Sequence, residues 1–250
     1  MQNNSILQRS PSSPRSWAAD AFPVWGSLAA AIGGIIVYLF TLVLLLRGFH
    51  VTPQNSGAPQ LTPAIVKAQV LGYIPILGYM AIVLPLLARR SLGELLGTLG
   101  AAEIFNGFGG AVAMWLVVIG IGAIEEALFG KPPEQNAIRL FQNSQPGLWL
   151  NVMAIVAVTL APFVEELVFR GFIFNALWRR FPFAVSAIIS GLIFGAAHGQ
   201  AAGILPLAGG GIVLAAVYAR TGSLWSSMIT HGSFNAITLT FLLLAQVKKA

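Results

Sequence analysis

Long apolar stretches separated by short polar or charged breaks dominate the chain. Runs at 24–46, 70–88, 105–129, 148–177, 183–202, 205–219 and 224–247 show no strand-like alternation. Most have the length of about 20 apolar residues that a membrane crossing requires. The pattern predicts an all-α, polytopic transmembrane helix bundle of about seven spans, within a range of six to eight because the sixth run is short. Pro75 and Pro85 fall inside the second run and predict kinks there. Polar loops are expected at 48–63 and 131–145, and the amphipathic stretch 91–100 around Glu94 suits the interface better than the bilayer interior. Residues 1–20, rich in Ser, Pro, Asn and Gln, cannot bury enough apolar surface to fold and are expected to form a flexible tail. The first apolar run exceeds the core of about 7–15 residues typical of a secretory signal, so it reads as a retained span. Residues 21–250 then make a single transmembrane domain without an internal repeat.

Composition agrees that the solvent is lipid: 56% of the residues are hydrophobic and 9% charged, against roughly 25% charged in a soluble domain. The net charge of +6 is spread over segment ends, which fits contact with anionic lipid and excludes a nucleic-acid stripe. With no cysteine in the chain, disulfides, Cys-ligated zinc and thiol nucleophiles are excluded. In a seven-span arrangement Arg9, Arg15, Arg89, Arg90, Arg179, Arg180 and Arg220 share the N-terminal side, and Arg47, Lys67, Lys131, Arg139, Lys248 and Lys249 the other. The positive-inside rule tips this balance toward a cytoplasmic N-terminus.

Charge inside an apolar run needs a reason, because an acid or arginine at the centre of a spanning helix costs about 2.5–3.5 kcal/mol or more. The fourth run carries Glu165, Glu166 and Arg170. On a helix Glu166 and Arg170, four apart, share a face in the favourable acid-before-base order. Glu165 points about 100° away and is left as an acid without a local partner, suited to take a proton as a general base. His198 follows Phe194 by four residues in the fifth run, and Asn235 follows His231 by four in the seventh, so each pair shares a helix face. His50, beside Arg47 in a polar loop, reads as ordinary surface. At 1.5 Å per residue, Glu165 lies roughly 21 Å, His198 about 27 Å and His231 about 16 Å from the face marked by Arg179, Arg180 and Arg220. Tilt and kinks absorb that spread, so the three side chains are expected to converge in one cavity within the hydrocarbon.

Two other features are set aside. Glu125 and Glu126 form a second acidic pair, but Gly130 stands where an arginine would be needed, and the pair reads as interfacial, near Lys131. The run Gly209-Gly210-Gly211 follows no strand, so it suggests close helix packing rather than a phosphate loop.

Glu-Glu-x-x-x-Arg (Glu165, Glu166, Arg170), Phe-x-x-x-His (Phe194, His198) and His-x-x-x-Asn (His231, Asn235) occur in that order on successive predicted helices. This set resembles the type II CAAX prenyl endopeptidase and bacteriocin-processing family of intramembrane proteases. The segment from Tyr218 to Trp225 is also similar, and together the likeness covers about 148–243. The resemblance implies peptide-bond hydrolysis inside the membrane. Glu165 would be the base that activates water, His198 its partner, His231 and Asn235 the oxyanion site, and Glu166, Arg170 and Phe194 the supports. It also implies a membrane-embedded or lipidated peptide or protein as substrate.

A zinc reading competes, because Glu165, His198 and His231 form a known type of catalytic ligand set. The contiguous His-Glu-x-x-His helix is absent, however, and using Glu165 as a ligand leaves only Glu166, occupied by Arg170, as base; metal-free hydrolysis is the preferred reading. A proton-coupled carrier or a non-catalytic scaffold would also use intramembrane Glu, His and Arg. The missing repeat weighs against the first, the complete motif set against the second.

Overall fold

The apolar runs fold into helices, and there is no strand among the residues that the computed structural model describes: 24–51, 60–88, 93, 96–131, 135–198 and 203–247. In chain order these are α1 (Val24–Gly48), α2 (Pro63–Ala88), α3 (Ala101–Phe129), a short α4 (Asn136–Gln142), the interrupted α5 (Leu148–Trp178), α6 (Phe183–Ala197), α7 (Ile204–Thr221) and α8 (Leu224–Val247). All but α4 and α6 are long and apolar enough to cross a membrane. Lipid offers backbone groups no partners, so a chain of this composition satisfies them within helices. The protein is a polytopic all-α membrane bundle, as the hydrophobic pattern predicts. The expected tail at 1–20, most of the amphipathic stretch around Glu94, and Arg9, Arg15, Arg89, Arg90, Lys248 and Lys249 lie outside the described residues.

Three boundaries differ from the sequence reading. α2 begins at Pro63, ahead of the expected start, because Pro suits the first helical position and the Thr62 hydroxyl accepts the Ile65 N–H at 3.3 Å. Lys67 therefore sits on the helix, its ammonium 5.4 Å from the Trp149 ring centre, rather than in a loop. Within the expected loop at 131–145 about two helical turns, α4, pack Phe141 against Leu150 and Leu239. The fifth span, expected to reach 202, leaves helical geometry after Ala197, where His198 has φ −78° and ψ 0°.

Small residues set how closely the helices approach. A Cβ at Gly191 of α6 would lie 2.6 Å from the Ala208 carbonyl oxygen of α7, and one at Gly211 of α7 would lie 2.8 Å from the Gly191 Cα. Gly210 faces the Met114 side chain of α3 at 2.8 Å on the same measure, so the glycine run serves helix packing, as its composition suggests. Gly107 of α3 admits Ile229 of α8, and the Thr230 hydroxyl donates to the Gly107 carbonyl at 3.0 Å. At the centre lies the middle of α5, contacted by α1, α6, α7 and α8.

α5 is not a uniform helix. Thr159 departs to φ −118° and ψ −69°, and Pro162, lacking an N–H, leaves the Val158 carbonyl without its intrahelical donor. From Leu167 to Phe174 the helix widens to π geometry, and every residue of that segment is buried. Such widened turns are rare and concentrate at functional sites.

Replacing Gly191 by alanine would drive a Cβ into backbone that has nowhere to move. The variant is expected to lose on the order of 1–3 kcal/mol, seen as a lower melting temperature in detergent. Gly109→Ala, whose Cβ meets nothing within 4 Å, should melt at or slightly above the parent temperature because alanine favours helix. Equal melting of both variants would contradict the tight α6–α7 contact.

Candidate active site

Two charged side chains lie at the centre of the bundle with no exposure at all, Glu166 and Arg170. An ion taken out of water costs several kcal/mol unless a partner and further hydrogen bonds offset the loss. Arg170 Nη1 meets Glu166 Oε1 at 2.8 Å, Nη2 donates to the Gly211 carbonyl of α7 at 2.9 Å, and the guanidinium carbon lies 4.9 Å from the centre of the Phe194 ring. The i to i+4 pair read from the sequence is therefore formed. Glu166 carries more than that pair. Its Oε1 also takes the Nδ1 of His231 at 3.0 Å, and the Ser227 hydroxyl donates to Oε2.

Because a carboxylate facing a guanidinium is an acceptor, the hydrogen in the His231–Glu166 contact sits on Nδ1. The other nitrogen, Nε2, faces Glu165 Oε2 at 3.9 Å, beyond hydrogen-bond length. Glu165 is 29% exposed, and its buried Oε2 accepts no hydrogen bond. Adjacent glutamates thus stand in opposite conditions. One is saturated with donors, the other holds an open oxygen.

Glu165 lines a cavity of about 450 Å³, together with Phe194, His198, His231 and Asn235. Apolar residues of α3, α4 and α8, among them Trp115, Phe141 and Leu242, complete it. The structure brings Glu165, His198, His231 and Asn235 to one space. His198 Nδ1 contacts the Phe194 carbonyl at 2.8 Å. A carbonyl only accepts, so Nδ1 carries the hydrogen and Nε2 of the neutral ring keeps a lone pair. The Phe194 ring stands edge-on to both imidazoles, with centroids 4.9 Å from His198 and 5.5 Å from His231. Asn235 spends one amide hydrogen on the Ala157 carbonyl of α5 at 2.8 Å and retains a second. Glu125 and Glu126 end α3 and do not line this cavity.

Residues outside the sequence motifs also reach the site. Ser227 is one. Away from the motifs, Tyr38 of α1 and Tyr73 of α2 stack their rings at 5.4 Å, and both hydroxyls accept from the Gln69 amide. Nothing in their spacing marked them, since tyrosines in membrane helices commonly serve packing.

The zinc alternative requires Glu165, His198 and His231 to gather about one ion. Among the described residues no three His, Cys, Asp or Glu side chains are grouped closely enough to hold one, so the arrangement does not fit a metal as it stands.

The pair at the centre carries a stability prediction. Arg170→Ala strands Glu166 in a site where the remaining donors cannot neutralise it, and should cost roughly 3–5 kcal/mol. Arg170→Lys should recover part of this, because an ammonium restores the charge but not the planar fork that reaches both Glu166 and Gly211. Thermal melting in detergent checks both; unchanged melting for the two would show that the buried pair does not form.

Comparison with known proteins bears on residues 147–237, which match the model of a family described as "Type II CAAX prenyl endopeptidase Rce1-like". A protein of Bacillus subtilis (strain 168) named "Putative membrane peptidase YdiL" is 31% identical over 128 residues, 51% of this chain and 50% of that protein. An Escherichia coli protein named "Uncharacterized 24.3 kDa protein" is 31% identical over 135 residues, 52% of this chain and 61% of the other. This chain thus spans between half and about three fifths of the length of these relatives. No solved structure matches. Residues 147–237, which hold Glu165, Glu166, Arg170, Phe194, His198, His231 and Asn235, are thus similar to the Rce1-like family of type II CAAX prenyl endopeptidases.

Proposed function

We propose that the protein is an intramembrane endopeptidase in which Glu165 activates the attacking water, and that its substrate is a membrane-embedded or lipidated peptide or protein. The observation that carries the reading is Glu165, whose Oε2 accepts no hydrogen bond, on the wall of a cavity that it shares with His198, His231 and Asn235. The family of residues 147–237 and the name of the B. subtilis relative support the same class of reaction. In this reading the N-terminus is cytoplasmic, the side toward which the charge balance leans.

In this mechanism Glu165 takes a proton from water as the water oxygen bonds to the scissile carbonyl carbon and the carbonyl electrons move onto oxygen. His198 Nε2, with Nδ1 tied to Phe194, is a second acceptor that orients the water. The developing oxyanion receives the free amide hydrogen of Asn235 and lies against the His231 imidazole. Donors fixed in advance where charge develops are the largest single source of rate in such reactions. Collapse breaks the C–N bond, and the leaving amine takes the proton back from Glu165. Glu166 and Arg170 touch no reacting atom; they hold His231 from below.

Glu165→Gln, nearly isosteric but unable to accept the proton, should abolish cleavage while the protein still inserts and accumulates. Comparing the membrane proteome of cells carrying the parent with that of cells carrying the variant identifies the substrate at the same time. His198→Ala and His231→Ala should lose activity strongly, and Asn235→Ala should lose about 10²–10³ in turnover. Glu125→Gln should remain near the parent rate. Full activity in Glu165→Gln sinks the assignment of the base.

Metal dependence is decided on one purified preparation by elemental analysis alongside activity. The metal-free mechanism expects substoichiometric metal and persistent activity under prolonged chelation. One zinc per chain, lost with activity and restored with it, would replace the base mechanism by metal activation at the same residues.

A further inference from the structure

The carboxylate of Glu166 has three protein donors, and one of them belongs to no motif. Ser227 lies on α8 one turn before His231, with no exposure. Its hydroxyl donates to Glu166 Oε2, while Arg170 Nη1 and His231 Nδ1 share Oε1 at 2.8 and 3.0 Å. A serine or threonine inside a helix ordinarily turns its hydroxyl back to the carbonyl four residues earlier. Two hydroxyls on α8 do this: Thr238 to Phe234 at 3.0 Å and Thr240 to Ala236 at 2.7 Å. Ser227 instead crosses to α5. The other acceptor within its reach, the Leu214 carbonyl at 3.4 Å, is too long to compete.

The consequence is geometric. A carboxylate held at one oxygen only can rotate about its Cγ–Cδ bond and exchange its oxygens. Held at both, it presents Oε1 to His231 in one orientation. We propose that Ser227 is a positioning residue, which by occupying Glu166 Oε2 fixes the oxygen that holds His231 Nδ1 and so aims Nε2 into the cavity, 3.9 Å from Glu165. This rests on the reading of His231 and Glu165 given under Proposed function. It adds a residue of α8 that acts through Glu166 rather than on the substrate.

The test uses Ser227→Ala, which removes the hydroxyl, and Ser227→Thr, which keeps it, in the full-length protein purified in detergent. The chain holds three histidines, His50, His198 and His231, so ¹⁵N-histidine labelling with His231→Ala for assignment resolves the ring nitrogens of His231 without any substrate. The parent and Ser227→Thr should show one state with the hydrogen of the Glu166 contact on Nδ1. In Ser227→Ala the two nitrogens should move toward averaged shifts. The cleavage arm uses a quenched-fluorescence peptide bearing the segment that the parent cuts in membranes and Glu165→Gln does not. There, Ser227→Ala should lose about tenfold or more in kcat with KM nearly unchanged, and Ser227→Thr should restore most of it. An unaltered His231 spectrum in Ser227→Ala overturns the proposal, and so does equal loss of kcat in both variants. Should Glu165→Gln remain active, the base assignment falls, and the substrate-free spectrum still decides whether Ser227 holds His231.

Discussion

The buried pair of Glu166 and Arg170 is the constraint on which the rest of the architecture depends. A charge couple without exposure, inside a bundle that itself sits in lipid, survives only if donors and acceptors arrive from every side. They arrive from three helices. α7 brings the Gly211 carbonyl, α6 the face of Phe194, and α8 Ser227 and His231. Packing alone would permit these helices to slide against one another, because lipid and leucine are equally apolar. The hydrogen bonds to the pair remove that freedom. The glycine contacts between α6 and α7 then become necessary, since an Arg170 fork pinned on α5 reaches Gly211 only if α7 comes close.

Glu165 and Glu166 show how one residue type is given two tasks by its surroundings. Glu166 faces inward and is satisfied by three donors, which makes it a fixed point. Glu165, one position earlier, lines the cavity, and its Oε2 accepts no hydrogen bond. The difference between the two lies in the donors that one receives and the other lacks. A residue that met the same donors as its neighbour would be held too firmly to exchange a proton with water, and a neighbour as open as Glu165 would leave His231 without an anchor.

Much of this was legible in the sequence because charge in an apolar run is conspicuous. The spacing of Glu166 and Arg170 predicted the contact that forms, and the estimated depths of Glu165, His198 and His231 predicted a shared cavity. Other features left no mark, for definable reasons. The π geometry of 167–174 hides because the segment is apolar on all sides apart from Arg170, so no periodicity distinguishes it from an ordinary helix. Ser227 hides because a serine in a membrane helix ordinarily satisfies itself, and only the tertiary contact reveals that it does not. Tyr38, Gln69 and Tyr73 lie far from the motifs in sequence, and their hydrogen-bonded cluster forms only through the packing of α1 against α2. The early end of α6 was missed because the run continues through small and weakly polar residues, whose composition does not say where helical geometry stops.

That early end has a physical outcome of its own. At 1.5 Å per residue, a helix from Phe183 to Ala197 is about 22 Å long, whereas the hydrocarbon is about 30 Å thick. His198 therefore falls at a depth where acyl chains would otherwise stand. A polar ring at that depth must find its partners within the protein, and the Phe194 carbonyl, 2.8 Å from Nδ1, is one of them.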